Sequence, residues 1–336
     1  MRSVDGSQPE FALTRRWGER EAVGERESGG RHTASMETEH EREARAVRDL
    51  ATRLGLPGII DVHTHFMPGN VMDKVWAYFD AAGPLVGREW PIAYRHDEDE
   101  RVRRLRDFGV LAFTSMLYPH KPGMAAWLNA WATDFAARTP DCLHTATFYP
   151  EPGAADYVAS AIERGARVFK SHVQVGDYDP SDTLLDPVWG LLQEAEVPTV
   201  IHCGSGPAPG RFTGPEPIRL VLQRFPRLPL VIAHMGMPEY AEFLDLAESH
   251  EAVHLDTTMN FTAFSDEQMP MPADQVRRLA DFGDRILFGS DFPNIPYPYL
   301  EALEAVTGLG LDESWQRAVL HDNAVRLFEL SDLRVG

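Results

Sequence analysis

The chain has few cysteines and few lysines. Its two cysteines, Cys142 and Cys203, cannot form the disulfide framework that stabilises small secreted proteins. Lysine occurs only as Lys74, Lys121 and Lys170, so arginine supplies the other 29 of the 32 basic residues. Because lysine is so rare here, the place of each one in the fold is informative.

Excess positive charge and long hydrophobic runs are also missing. The 51 acidic residues against 32 basic ones give a net charge of -19, which disfavours binding to nucleic-acid phosphates. No apolar run approaches the roughly 18 to 20 residues that span a bilayer. The first 35 residues contain no hydrophobic signal core. We therefore expect a cytoplasmic protein that binds neither nucleic acid nor membranes.

The N-terminal segment differs in composition from the rest of the chain. Residues 1–35 are rich in Arg, Glu, Gly and Ser and have little apolar periodicity, which is typical of disorder. A helical pattern over 37–54 follows Met36, which is an alternative start of the protein. We predict a disordered extension over 1–35 and one domain over 36–336.

Strand-like and helix-like patterns alternate through that domain. The predicted strands are 58–66, 110–117, 143–150, 167–173, 199–204, 230–236, 253–258 and 286–291. The helical patterns between them include 123–138, 154–164, 184–196, 216–225, 239–250 and 274–282. Eight such repeats predict an α/β fold, a single (β/α)₈ TIM barrel. An open doubly wound sheet is the alternative, but no Gly-rich phosphate loop follows the first strand. A long insertion over 69–99 could form a lid or a pocket wall.

Histidine and aspartate residues stand at the ends of several predicted strands. His63 and His65 follow an apolar run and, two residues apart on a strand, would present both imidazoles on one face. His202, His234 and Asp291 end later strands, and the carboxyl ends of barrel strands meet at one mouth. We predict that His63, His65, His202 and Asp291 bind one divalent metal ion, zinc first and manganese as the alternative.

Each of these residues also has an ordinary structural explanation. His202 and His234 could be strand-end histidines that form hydrogen bonds with the backbone. Asp291 could cap a following helix, since Asp is a preferred N-cap residue. Asp256, at the end of the seventh predicted strand, is interpreted as structural.

Six motifs support the metal-site interpretation. They are Asp61-Val-His-Thr-His65, Lys170-Ser-His172, Val200-Ile-His-Cys-Gly204, Ala233-His-Met-Gly236, Gly289-Ser-Asp-Phe-Pro293 and Asp322-Asn-Ala-Val-Arg-Leu-Phe328. In this order they resemble the metal-dependent amidohydrolase superfamily, and in particular the amidohydrolase-2 branch, which includes enzymes like aminocarboxymuconate semialdehyde decarboxylase. The resemblance implies that Asp291 also accepts a proton from the attacking water, and that His234 orients or polarises the substrate.

The resemblance leaves the role of Lys170 open. Members with two metal ions bridge them through a carbamylated lysine, whereas the Lys-x-His pattern accompanies a single ion. We expect an unmodified Lys170 and one ion, and we count Lys170 among the candidates for substrate binding. His172 lies on the same predicted strand face and would contact the substrate or support the metal ligands.

Other candidates for substrate binding lie in loops. Arg211, in the Gly- and Pro-rich loop after the fifth strand, could bind a carboxylate through two hydrogen bonds, although surface arginines are common. Similar candidates are Tyr118, His120, Asn260 and Phe261. Loop composition does not identify the substrate.

Three functions agree with these observations. The first is hydrolysis of an amide, lactone or ester of a small organic acid by a metal-activated water. The second is non-oxidative decarboxylation of an aromatic or unsaturated acid, and the third is a barrel that binds a ligand without turnover. The sequence after His234, Met-Gly-Met-Pro-Glu, lacks the His-Gly-Gly pattern associated with the decarboxylases, which favours hydrolysis. A homodimer is the commonest arrangement of soluble oligomers, and we expect one here.

Overall fold

The first helix begins two residues after the predicted start. The computed structural model describes residues 37–330, so the predicted disordered extension over 1–35 lies outside the described residues. Helix α1 spans Glu39–Arg53, and Thr38 caps it. The Thr38 side chain accepts a hydrogen bond from the Glu41 backbone N–H, and the Glu41 carboxylate accepts one from the Thr38 N–H. This reciprocal capping box explains the sharp start of the helix.

The strands are parallel and follow each other in chain order. They are β1 Ile59–Asp61, β2 Val110–Thr114, β3 Cys142–Leu143, β4 Thr145–Thr147, β5 Val168–His172, β6 Thr199–His202, β7 Leu230–Ile232, β8 Val253–Asp256 and β9 Ile286–Leu287. One group of paired strands has the order β1-β2-β3, and the other runs from β4 to β9. Strands β3 and β4 are the two parts of a single predicted strand, separated only by His144.

Backbone hydrogen bonds join the last strand to the first. The Val62 N–H donates to the Phe288 carbonyl at 2.9 Å, and the Asp291 N–H donates to the His63 carbonyl at 2.8 Å. These bonds continue the β1 and β9 segments past their strand ends and close the ring. The prediction of a (β/α)₈ TIM barrel is confirmed.

Helices connect the strands and cover the outside of the barrel. They are α2 Gly69–Ala81, α3 Gly83–Val86, α4 Glu98–Asp107, α5 Ala125–Arg138, α6 Ala154–Glu163, α7 Val173–Gly176, α8 Asp186–Glu194, α9 Pro215–Arg224, α10 Tyr240–Ser249, α11 Ala263–Asp266, α12 Ala273–Arg278, α13 Tyr299–Thr307, α14 Glu313–Arg317 and α15 Asn323–Leu327. A π-helical segment, Ala318–Asp322, links the last two. Over residues 37–330, none of the helices is both long enough and apolar enough to cross a membrane.

One apolar cluster occupies the interior of the barrel. Ile60, Val200, Val231 and Leu287 are fully buried and pack with Phe328 near the C-terminus. Side chains of parallel barrel strands fill the interior in this way. The polar strand-end residues are therefore left at the carboxyl ends of the strands, where the cavity described below opens.

Candidate metal centre

Three of the four predicted metal ligands lie together. One ligand atom from each of His63, His65 and Asp291 falls within 4.8 Å of the other two, and all three residues are buried. The Asp291 Oδ1 atom is 2.7 Å from His65 Nε2 and 3.8 Å from His63 Nε2. Asp291 does not cap the next helix, because α13 begins only at Tyr299. The alternative explanation of Asp291 as a helix cap is therefore wrong.

The two histidines are oriented by hydrogen bonds on their other ring nitrogen. The Nδ1–H of His63 donates to Asp256 Oδ2 at 2.9 Å, and that of His65 donates to the Met116 carbonyl at 2.6 Å. Burial, and then the charge of Lys170, lower the pKa of His63 well below its usual value. Because Nδ1 is the donor in both residues, Nε2 of each ring faces the centre, which is the arrangement seen in metal-binding histidines.

The short contact between His65 Nε2 and Asp291 Oδ1 requires a positive charge between the two atoms. Because Nδ1 of His65 carries the proton given to Met116, a neutral ring offers only a lone pair to the Asp291 carboxylate. Burial alone would raise the pKa of Asp291, but His65 and His63 lower it to about 2, so this carboxyl group is ionised. A proton or a metal ion must separate two such acceptors. Two imidazole nitrogens and one carboxylate oxygen suit a divalent ion and leave positions open for water or substrate.

Asp256 is the site residue that the sequence analysis assigned no function. Its Oδ2 atom accepts from His63, and its Oδ1 atom accepts from the His234 backbone N–H at 2.8 Å. It is completely buried at the end of β8. In the sequence, the only indication of this role was that Asp256 ends a strand at the same end of the barrel as the ligands. The sequence does not show which histidine nitrogen the carboxylate contacts.

Asp61 connects the first and last strands below the centre. Its carboxylate accepts hydrogen bonds from the Ser290 hydroxyl at 2.6 Å, the Tyr299 hydroxyl at 2.9 Å and the His63 N–H at 3.1 Å. Burial raises the pKa of Asp61 to about 7, and these hydrogen bonds oppose the shift. Since Ser290 precedes Asp291, this network holds His63 beside Asp291.

The fourth predicted ligand, His202, is not part of the cluster formed by the described residues. Its Nε2–H donates to the Gly206 carbonyl at 3.1 Å. Its ring stacks on His172 with 4.1 Å between centroids, because the two residues are direct partners in the β5–β6 register. The ordinary explanation, a strand-end histidine bonded to backbone, describes this arrangement. Metal binding by His202 stays a prediction and requires that its ring leave Gly206.

His234 lies beside the cluster in a fixed orientation. Its ring centroid is 5.1 Å from that of His63, and its φ of 54° places it in the left-handed region. The Nδ1–H donates to the Thr258 carbonyl at 3.1 Å. Burial lowers the pKa of His234, so the ring is neutral and its Nε2 accepts hydrogen bonds. It can therefore orient a donor as it stands, but it can polarise a carbonyl only after it gains a proton.

Lys170 is completely buried next to the centre. Its Nζ atom is 3.0 Å from Nε2 of His63, the nitrogen that faces Asp291. Burial lowers the pKa of Lys170 to about 8, and Asp256 and Asp291 oppose the shift. His172, the other residue of its motif, packs against Tyr118 with 4.7 Å between ring centroids.

A cavity of about 620 Å³ opens above the centre. The inserted segment 69–99 forms part of the cavity wall through α2 and α3. This agrees with the expectation of a pocket wall, the first alternative being a lid. The other lining residues include Tyr118, His120, Lys170, His172, His202 and His234.

Three predicted substrate-binding residues lie outside the cavity. Arg211 is exposed, and its guanidinium carbon lies 4.8 Å from the centroid of the Phe212 ring. Asn260 is buried outside the lining, and Phe261 also lies outside it.

The family is shown by a comparison with protein-family models. The amidohydrolase model (Amidohydro_2) matches residues 60–330, which include every element from the first strand to the end of the described chain. The chain belongs to the amidohydrolase family. This amidohydrolase has no match among curated proteins.

Solved structures share the fold of this amidohydrolase. An uncharacterised TIM-barrel protein from Bordetella bronchiseptica has 21% identity and a TM-score of 0.67, covering 81% of this chain and 98% of its own. A 2,6-dihydroxybenzoate decarboxylase complexed with 2,6-dihydroxybenzoate has 18% identity and a TM-score of 0.60, with 81% and 99% covered. A dihydroorotase from Campylobacter jejuni has 15% identity and a TM-score of 0.53, with 82% and 85% covered. At these identities the similarity shows the fold alone.

Proposed function

We propose that this amidohydrolase is a metal-dependent hydrolase that cleaves an amide, lactone or ester of a small organic acid. The observation that carries the proposal is the convergence of His63, His65 and Asp291 at the floor of a cavity. A divalent ion held by these three residues, with His202 as a further predicted ligand, would lower the pKa of a bound water and polarise a carbonyl group. Zinc is the first expectation and manganese the second.

The side chains around the centre supply the remaining requirements of hydrolysis. Asp291 is ionised, so it can take the proton of the attacking water. His234 presents a neutral Nε2 next to the cluster and would orient the water or a donor group of the substrate. General acid–base assistance of this kind contributes roughly 10²- to 10⁴-fold. Asp256 holds His63 in the ligand orientation and needs no contact with the substrate.

Decarboxylation is the second candidate, and Lys170 is the observation that favours it. A buried ammonium group beside the centre would bind the carboxylate of an aromatic or unsaturated acid. In that reaction the carbon–carbon bond breaks, carbon dioxide leaves and a proton is delivered to the carbon. The third candidate, a barrel that binds a ligand without turnover, would be favoured if the purified protein contained no metal.

The two reactions are distinguished by their products. We would measure metal content by emission spectroscopy in the wild type and in the His63→Ala and Asp291→Asn variants. Panels of lactones, amides, esters and aromatic acids would be screened while carbon dioxide is monitored. Hydrolysis products that disappear in both variants support the proposal. Release of carbon dioxide without a hydrolysis product would refute it and support decarboxylation.

Further predictions concern the setting of the enzyme. We propose a small-molecule substrate, cytoplasmic residence, and no binding to nucleic acid or membranes, in line with the acidic composition. A homodimer is expected from its frequency among soluble oligomers, and light scattering of the purified protein tests it.

A further inference from the structure

The cavity is a positively charged place in an acidic protein. All three lysines of the chain, Lys74, Lys121 and Lys170, line it. Among the described lining residues the only carboxylate is Asp291 of the metal centre, and no arginine is present. In a chain with 51 acidic residues and far more arginine than lysine, this distribution favours an anionic ligand.

Two of the lysines lie at the mouth, the part of the cavity lined by exposed residues. Lys74 is on α2, Lys121 is in the loop after β2, and the side chains of both are exposed. Neither forms an ion pair with any residue in 37–330, although many arginines there do. His120 lies near both lysines: partial burial, and then the charges of Lys121 and Lys74, lower its pKa. The mouth therefore carries two positive charges that both act on His120 and that have no counterion from the described chain.

The same mouth exposes large apolar side chains. Tyr78 is 52% exposed, Trp127 is 47% exposed and Val175 is 37% exposed, and all three line the cavity. They are half of the six large hydrophobic residues exposed in the described part of the chain. Exposed apolar patches of this kind mark binding surfaces. Deeper in, the wall continues with Val75 and Phe79 of α2.

We propose that Lys74 and Lys121 bind a carboxylate at the end of the substrate remote from the reacting bond, while an apolar segment of the substrate lies between mouth and centre. The substrate class is thus an amphipathic organic anion whose charged end stays at the mouth. The position of the reacting bond rests on the proposed hydrolase function. The binding of the charged end rests only on the lysines and the apolar wall. A volume of about 620 Å³ accommodates a ligand of this type.

Two probes that differ only at one end test this inference. We would measure binding of 6-phenylhexanoate and of 6-phenylhexan-1-ol by calorimetry and by tryptophan fluorescence, with Trp127 as a reporter at the mouth. The measurements would be made on the metal-loaded protein and repeated after chelation, so that carboxylate binding by the ion is separated from binding by the lysines. The variants are Lys74→Gln/Lys121→Gln, Lys74→Arg/Lys121→Arg, and Arg211→Gln as a control for loss of a surface charge outside the cavity.

The wild type should bind the carboxylate roughly threefold to tenfold more tightly than the alcohol, with and without metal, since partly exposed charge pairs contribute modestly. The double glutamine variant should bind both probes equally, while the arginine pair and Arg211→Gln should keep the preference. Equal binding of the two probes by the wild type would overturn the inference. So would a preference that survives in the double glutamine variant, because the carboxylate would then lie at Lys170 or at the centre. A lysine-dependent preference without turnover of any hydrolase substrate would refute only the proposed function.

Discussion

At the scale of single residues, the hydrogen bond that positions a metal ligand matters as much as the ligand itself. Asp256 accepts the Nδ1–H of His63 and so directs the lone pair of Nε2 towards the centre, where a metal ion would bind. Such indirect partners are difficult to find from sequence, because an aspartate at a strand end is compatible with many contacts. Once the barrel closes, the pairing is unambiguous.

We predict that Asp256→Asn weakens metal binding by about 10- to 100-fold, because the amide holds His63 less firmly and no longer favours the metal-binding tautomer. Competition with a chromogenic chelator measures the affinity. Asp134→Asn, an exposed position on α5, is the matched control. Unchanged affinity in Asp256→Asn would show that His63 does not need this partner.

His234 should affect turnover far more than metal binding. His234→Asn can keep the hydrogen bond to the Thr258 carbonyl but removes the Nε2 atom, so we expect kcat to fall by roughly 10²- to 10⁴-fold. Metal content, measured by emission spectroscopy, should remain at the wild-type level. Loss of metal in parallel with activity would instead place His234 among the ligands.

At the scale of secondary-structure elements, the junction between the first and last strands positions the metal ligands His63 and Asp291. Asp61 ends β1, Ser290 follows β9 and Tyr299 begins α13, and the three side chains form one buried network. The network explains why residues more than two hundred positions apart hold His63 and Asp291 at a constant separation. It also gives Asp61, which the resemblance included without a role, a structural function.

Removing the Tyr299 hydroxyl should weaken this junction. Tyr299→Phe keeps the packing but takes one of the donors from the buried Asp61, so the free energy of unfolding should fall by about 1 to 3 kcal/mol. Urea unfolding measures the change. Tyr78→Phe, on an exposed side chain, should leave the stability unchanged. Equal stability of both variants would contradict the proposed role of the network.

At the scale of the whole molecule, buried histidines connect stability to pH. The side chain of His254 on β8 is mostly buried; burial, opposed by the Ala252 carbonyl and reinforced by Arg285, lowers its pKa to about 4. Between the unfolded value of 6.5 and about 4 the unfolded chain binds a proton that the folded protein excludes. Stability should therefore fall as the pH falls through this range.

His254→Gln should reduce that loss. Between pH 7 and pH 5 the decrease in unfolding free energy should be smaller in the variant than in the wild type by about 1 to 2 kcal/mol. Chemical unfolding at both pH values gives the comparison. The other buried histidines titrate in both proteins, so the difference isolates His254. Parallel pH curves would show that His254 does not contribute.

The amino-acid sequence alone determined the barrel and the end of the barrel at which the candidate metal ligands lie. Alternating strand and helix patterns are local properties, and the carboxyl ends of parallel strands must meet, so the order of the strands is enough to place His63, His65 and Asp291 together. The same reasoning predicts His202 as a fourth ligand; it shares their end of the barrel and bonds to Gly206 in this structure, so its binding to the metal stays a prediction. It also included Arg211, whose loop turns the side chain away from the cavity.

Only the tertiary structure decided which side chains contact one another at the site. Periodicity shows which face and which end of the barrel a side chain occupies, but distances between strands depend on register, ring orientation and loop conformation. These are set by contacts between residues far apart in the chain. Hence only the folded protein shows that Asp256 meets His63, and that Lys74, Lys121 and Lys170 share one cavity.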